Sequence, residues 1–469
     1  VRQFLSLSEL FIHQRPPNHV VAFEKGKPVR WETFSRQVAG LCQKLKHQPR
    51  GQWLVASSST YAFAVSLCAL WQTDQVAVLP PHLQPGTLNE MKGEFRGVVS
   101  DSALSLPGVP LLRPLAFSAR SWEWKRLDRQ NVFLKLYTSG STGQRQAVSK
   151  TLANLEEELA VQEMTFGAGL GDCAVLATVS HQHIYGLLFR LLWPLCAGRP
   201  FVSETPLVWK EMLSAARPFP AVCWVSSPAH LDYASATSEG GEFHGKIVFS
   251  SGAPLKKETA EIFRKRWGLR PIEIFGSTET GGVGWRVQSE KKSSEWWTPF
   301  RGVSVLADPR ADQQLRVLSP FMTAPDNGGR CGMGDRGRVF ADGRFLTAGR
   351  VDRIVKIAGK RLSLDDMESR LNRHSWVRQT ALMHFTPENS SRRGMGAVIV
   401  LTPRGKIQLL KMGRAAVNQK LRTDLKPHFE SVTLPRYFSY VDALPVNSQG
   451  KITKTALKSL FQSSSSSEE

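Results

Sequence analysis

From about Gln52 onward, short apolar runs alternate with longer apolar or amphipathic stretches. The runs WLVASS, QVAVLP, GVVSD, CAVLATV, AVCWVSSP, GKIVFSSG and PIEIFGS are of strand length, and each closes on small, polar or chain-breaking residues. Between several of them lie helix-length patterns: YAFAVSLCALW, IYGLLFRLLWPLCAG, and LKKETAEIFRKRWG, which closes on Gly268. Strands separated by helices predict an α/β fold with parallel sheets covered by helices. From Gly332 the texture changes to glycine-punctuated short strands and then a helix with an acidic start. This predicts a large N-terminal domain over 1–350, a small α+β domain over 351–462, and a disordered low-complexity tail over 463–469.

The length of 469 residues exceeds what one core comfortably serves, in keeping with two domains. The most apolar stretch, Tyr61 to Trp71, is too short to span a bilayer, so no transmembrane segment is expected. Six scattered cysteines, with no C-x-x-C and no metal spacing, predict reduced packing thiols and a cytoplasmic location. The N-terminal VRQFLSLSELF carries no export signal that we can identify. The net charge is +21, and residues 351–469 hold 20 Lys and Arg against 10 Asp and Glu, so the C-terminal quarter is the basic one. Such a field attracts nucleotides, membrane surfaces or acidic proteins. No helix-turn-helix, zinc-finger or aromatic RNA-binding signature accompanies it, and nucleic acid is not an expected partner.

Two glycine- and hydroxyl-rich stretches follow strand patterns, where open α/β sheets bind ligands. YTSGSTGQRQAV spans Tyr137 to Val148, and FGSTETGG spans Phe275 to Gly282. A run of this kind turns several backbone amides toward one point, which suits phosphate oxygens. The spacing is wrong for G-x-x-x-x-G-K-[ST], and no lysine follows Gly143.

In order along the chain stand YTSGSTG, HIYG (His183 to Gly186), SSGAPL (Ser250 to Leu255), FGSTETGG, the pair Gly334-Asp335, GRVDRIVKIAGKRL (Gly349 to Leu362) and LPVNSQGKITK (Leu444 to Lys454). This series resembles the motifs of the adenylate-forming superfamily: acyl-CoA and aryl-CoA synthetases, carrier-protein ligases, luciferases and peptide-synthetase adenylation domains. The resemblance implies a large AMP-binding domain, a small mobile C-terminal domain, and ligase activity. ATP and Mg²⁺ would activate a carboxylic acid as its adenylate, and the thiol of CoA or of a phosphopantetheine-bearing carrier protein would take the acyl group.

By that resemblance Thr138, Ser139, Gly140, Ser141, Thr142 and Gly143 form the phosphate loop, and Gly252, Ala253, Gly276 and Ser277 flank the nucleotide. Phe275 would stack on adenine, and Thr278 with Glu279 would hold Mg²⁺; an acid at the start of a helix is the plainer account of Glu279. Asp335 would accept from the ribose, Arg350 would contact the ribose or phosphate edge, Asp352 would be the hinge, and Gly359 would border the thiol tunnel. Lys451 would carry the charge needed where two anions meet. His183 would act in the acid site, with His181 or a merely packed histidine as alternatives. The family's loop lysine is replaced by Gln146, for which Arg145 or Lys150 could supply charge toward the pyrophosphate, and a second acid after the hinge is replaced by Arg353. Small residues at Gly276 and Thr280 to Gly282 suit a flat or elongated apolar acid, aryl or fatty. A nucleotide- or acyl-adenylate-binding protein without turnover is the alternative.

Overall fold

Apolar strands need cover on both faces, and Ala174–Ala177 and Val222–Ser226 have it: every residue of both is buried. The computed structural model describes residues 3–462 apart from 81, 82, 84, 103, 105, 140–144, 207, 238–243, 290–294, 324–328, 351, 352, 358, 359, 386–393, 430 and 448–451. The chain divides into two compact units. One comprises Val1–Val305, Val317–Cys331 and Ala341–Phe345; the other comprises Leu306–Arg316, Gly332–Phe340 and Leu346–Glu469.

Among the described residues the first unit holds two large sheets. The nine-stranded sheet runs Thr298–Pro299, Gly281–Val287, Ile272–Ser277, Gly245–Ser251, Val222–Ser226, Ala174–Ala177, Phe201–Val202, Val20–Glu24 and Lys27–Arg30. Its interior pairs are parallel, and antiparallel strands close both edges. The six-stranded sheet runs Leu111–Leu112, Gly97–Val99, Gln52–Val55, Val76–Leu79, Val132–Ser139 and Arg145–Thr151. It is parallel except for the last pair, an antiparallel hairpin.

The apolar stretch after Ser59 forms the helix Thr60–Gln72, in which every residue is buried. A helix that is apolar all round belongs in a core, and no described helix is long and apolar enough to cross a membrane. Its start is tied to the nine-stranded sheet by a polar seam. Tyr61 N donates to Ser203 Oγ (3.0 Å), and His181 bridges Thr60 Oγ1 and Ser57 O, each at 2.9 Å. Because Ser57 O can only accept, Nε2 of the neutral His181 ring carries the proton, and the single Thr60 hydroxyl proton lies between His181 Nδ1 (2.9 Å) and Ser203 O (3.0 Å). The stretch from Ile184 is helical to Ala197 but passes through a π segment, Leu187–Leu192, in which Trp193 N reaches back to Leu188 O. Pro194 has no N–H to continue the α ladder past that point. Helix Lys257–Trp267 ends as its sequence predicts, with Gly268 left-handed at φ 69°.

The second unit carries a three-stranded sheet of Val377–Phe385, Gly394–Leu401 and Tyr437–Val441. Ala397, Ile399 and Leu401 pack with Met367, Leu371, Val417 and Leu421 from the helices Leu364–Asn372 and Pro403–Leu425. Val398, on the opposite face, packs with Leu457 of the helix Lys454–Gln462. The period of two thus puts helices on both faces. All six cysteines are unpaired with one another, and five are buried.

The polar seam makes a pH prediction. Burial, and then the charge of Arg190, pull the pKa of His181 from 6.5 down to about 3. The unfolded chain therefore takes up this proton before the folded one does, so the histidine's full contribution stands above its unfolded pKa and fades as pH falls toward the folded value. The loss is at most about 1.4 kcal/mol per pH unit. The melting-temperature gap between wild type and His181→Gln is expected to be widest near neutral pH and to shrink steadily toward about pH 4, read by thermal unfolding across that range.

Candidate active site

Thr138 and Ser139 end one strand of a hairpin. Strand Val132–Ser139 pairs antiparallel with Arg145–Thr151, setting Thr138 opposite Gln146 and Ser139 opposite Arg145. Gly140, Ser141, Thr142 and Gly143 lie outside the described residues. The second strand leads directly into helix Leu152–Leu170, where the Thr151 and Asn154 side chains form a reciprocal cap.

The second run builds another hairpin at the edge of the nine-stranded sheet. Strand Ile272–Ser277 turns through Thr278, Glu279 and Thr280 into Gly281–Val287. Within the turn, Ser277 N donates to Thr280 Oγ1 and Thr280 N donates to Ser277 Oγ, both at 3.2 Å. Gly276 allows the strands to meet: a Cβ there would lie 2.3 Å from Gly281 O. Ser251 pairs in parallel with Ile274, so Gly252 and Ala253 follow at the carboxyl end beside this hairpin. The Phe275 ring sits 5.2 Å from Trp297 and 5.8 Å from Phe345, forming an aromatic group. Arg286 lies over Trp297 at 4.2 Å and forks onto the buried Glu273 with 2.7 and 3.0 Å bonds.

The two hairpins share a wall. Glu279 lines an open hollow of about 510 Å³ with Ala147, Val148, Ser149, Met322, Thr323 and Cys331. Behind it Lys150 is 1% exposed, and its ammonium donates to Phe321 O (2.7 Å) and Glu279 O (3.0 Å). Burial pulls the Lys150 pKa down, against the pull of Glu158 and Glu279. Burial pushes the Glu158 carboxyl up to about 7, opposed by Lys150 and by the Gly282 N–H it accepts at 2.7 Å. The expectation that Lys150 could serve the pyrophosphate is corrected here: its ammonium is committed to two backbone carbonyls away from solvent.

Among the described residues no group of three His, Cys, Asp or Glu could cage a metal. Mg²⁺ needs no such cage, since it binds through one or two carboxylates together with substrate phosphates and waters. A lone Glu279 at the edge of an open hollow, beside the Thr278 hydroxyl, has donor chemistry that fits it.

His183 is partly exposed and precedes helix Ile184–Gly186, its carbonyl accepting from Leu187 N at 2.7 Å. Gly186 belongs to the same packing, since a Cβ there would meet Ser180 O at 2.0 Å. His181 is the buried member of the two and belongs to the polar seam. Trp224 and Leu231 pack into the core with Trp209 and Phe263.

In the second unit Asp335 on strand Cys331–Val339 and Arg350 on strand Phe345–Arg350 are brought together at 3.7 Å. Arg350 N donates to Asp365 Oδ2 at 2.8 Å. Arg353, which stands where an acid was expected, ion-pairs with Asp365 (2.6 Å) and Glu368 (2.5 Å), so this charge has a structural employment. Asp352, Gly359 and Lys451 lie outside the described residues.

Residues 58–348 match the family described as AMP-binding enzyme. The chain belongs to that family. A 4-coumarate–CoA ligase of Cereibacter sphaeroides is 28% identical over 323 residues, covering 67% of this chain and 69% of the relative. A benzoate–CoA ligase of Thauera aromatica is 26% identical over 365 residues, covering 69% of this chain and 65% of the relative. The matched stretch thus spans about two thirds of these relatives' own length. Among solved structures, ATP-bound MatB from Rhodopseudomonas palustris superposes with a TM-score of 0.81 at 17% identity, covering 97% of this chain and 99% of that one. The o-succinylbenzoate CoA synthetase MenE of Bacillus subtilis in complex with AMP superposes with a TM-score of 0.80, also at 17% identity, covering 97% and 98%. These structures share the α/β fold and its smaller C-terminal sheet domain.

Sequence reasoning missed Glu158 and Glu273. Glu273 stood out as an acid within the apolar strand run PIEIF, whereas Glu158 follows Glu156 and Glu157 in LEEELA and carried no such signal. The closeness at Gly276 makes a prediction. Gly276→Ala pushes the hairpin strands apart and is expected to cost about 1–3 kcal/mol, with loss of ATP affinity beyond the loss of stability, read by thermal unfolding and by ATP titration of the folded fraction.

Proposed function

We propose that the protein is an ATP-dependent acid–thiol ligase. The observation that carries this reading is the shared wall, which sets the strand leaving the phosphate loop against the Glu279 turn around one open hollow. The carboxylate of an aryl or fatty acid attacks the α-phosphorus of ATP; the P–O bond to the β-phosphate breaks, and pyrophosphate leaves. A pantetheine thiol then attacks the acyl carbon, loses its proton, and expels AMP. Thr138 to Gly143 receive the β- and γ-phosphates with amides and hydroxyls, Phe275 offers its face to adenine, and Asp335 accepts from the ribose. Thr278 and Glu279 would hold Mg²⁺, which would offset phosphate charge. Lys451 supplies positive charge at the α-phosphate, where two anions approach. Arg350 stands at the nucleotide edge, Asp352 serves as the hinge of a C-terminal domain over 351–462, and Gly359 leaves room for the thiol arm. His183, at a helix start and partly exposed, faces the acid.

The acceptor is CoA or an acidic carrier protein, the latter favoured by the basic surplus of residues 351–469. A second reading, nucleotide or acyl-adenylate binding without turnover, is favoured by Gln146 at the lysine position together with the burial of Lys150. Pyrophosphate release with ATP and Mg²⁺ across a panel of aryl and fatty acids, with hydroxylamine as acceptor, separates the two. The ligase reading expects release with one acid class and a loss of about 10²- to 10³-fold in Lys451→Ala; ATP binding with silence across the panel supports the second. If a carrier is the acceptor, its KM is expected to rise roughly tenfold from low to high salt while hydroxamate formation is unchanged, as paired steady-state assays would read.

A further inference from the structure

Two buried ionisable side chains close on the same hairpin, one at its turn and one at the strand that follows. Lys150 donates to the carbonyl of Glu279 at 3.0 Å and to that of Phe321 at 2.7 Å. Glu158 accepts from the amide of Gly282 at 2.7 Å. Both side chains are at least nine-tenths buried, with relative exposures of 1% and 4%. They come from one continuous piece of chain, since Lys150 ends the strand that leaves the phosphate loop and Glu158 lies on the helix that follows it. The turn's glycines are fitted to the acid: a Cβ on Gly281 would meet Glu158 Oε2 at 2.6 Å and Phe321 Cβ at 2.8 Å. A buried ammonium is tolerated where acceptors and a counter-charge surround it. A neutral side chain would fill the same volume without that cost, so the charge marks a geometric demand.

We propose that Lys150 is a positioning residue for the candidate metal ligand Glu279, fixing the backbone from which that carboxylate projects and locking it to the phosphate-loop strand, with Glu158 as counter-charge and second clasp. This rests on the ligase reading and names a determinant of its metal–nucleotide site. The strand Arg145–Thr151 and the backbone of Glu279 are then held as one body, which is the form preorganisation takes when two halves of a site come from distant parts of the chain. Without the clamp, the contacts that hold the Glu279 turn among the described residues are its internal Ser277–Thr280 bonds and its strand pairing.

The test uses the full chain and Mn²⁺ as a spectroscopic probe for the hard divalent cation. Free Mn²⁺ is titrated by electron paramagnetic resonance in the presence of ATP and the absence of acid, and steady-state KM values are measured separately for ATP–Mg²⁺ and for the acid. Lys150→Met takes away the ammonium that favours the Glu158 carboxylate, so that the buried carboxyl takes up a proton; Lys150→Met with Glu158→Gln removes both ionisable groups, and Lys150→Gln keeps an amide N–H toward the carbonyls. The expected result is at least a tenfold weaker Mn²⁺–ATP complex in the folded double variant, with the KM for the acid within about twofold and Lys150→Gln in between. Folded variants that bind Mn²⁺–ATP as wild type does overturn the inference. So does failure of all three to fold, which would make the pair purely structural. Wild type that binds no Mn²⁺–ATP and releases no pyrophosphate overturns the ligase reading instead.

Discussion

A buried ammonium has to be answered by oxygen atoms, and in this protein the answer organises the site. Lys150 gathers carbonyls from residues 279 and 321, while Glu158, close enough to feel its charge, takes an amide from residue 282. Leaving a buried polar group without its hydrogen-bond partners typically costs about 1–3 kcal/mol, and more for a charged group, a sizeable part of an ordinary domain's net stability of about 5–15 kcal/mol. The edge hairpin of the nine-stranded sheet is therefore held to the edge hairpin of the six-stranded sheet by a bond that cannot be loosened cheaply. The hollow lined by Glu279 lies along that join.

Buried polar groups answered by oxygen atoms recur elsewhere in the first unit. Arg190 is fully buried and donates to the carbonyls of Val179, Ser203 and Glu204 and to the Thr205 hydroxyl. His181 stays neutral between Ser57 and Thr60. Arg199 grips Glu163 through two bonds of 2.6 and 2.9 Å, tying helix Leu152–Leu170 to the chain beyond the π segment. Parallel sheets bury both their faces and leave their strand ends for chemistry. The polar seams set how those ends face one another, which hydrophobic burial alone, being non-directional, does not.

Periodicity exposed the parallel sheets and the closure of helix Lys257–Trp267 at Gly268, because both follow from local residue choice. The ordered motif series exposed the family. Other features depend on partners far away in the chain. The residues flanking the phosphate loop turned out to form an antiparallel hairpin, and the pattern NVFLKLY gives no hint of strand direction. Gly413 interrupts helix Pro403–Leu425 with φ 81° and ψ 165°, although its neighbours read as continuous helix. Lys150, read in the sequence as a source of charge toward the pyrophosphate, is buried on carbonyls, and Arg353, read as the replacement of an acid, is engaged by Asp365 and Glu368. A charge's employment depends on its three-dimensional neighbours, and those are not adjacent in sequence.

The central claim is that the carboxylate oxygen of the acid becomes bonded to the α-phosphorus of ATP. The most direct test supplies an acid labelled with ¹⁸O in its carboxylate and examines the AMP released after transfer to a thiol. An acyl-adenylate route leaves one labelled oxygen on AMP, because thiol attack breaks the bond between the acyl carbon and that oxygen. Formation of the thioester with unlabelled AMP, or with ADP and labelled phosphate, would contradict the account.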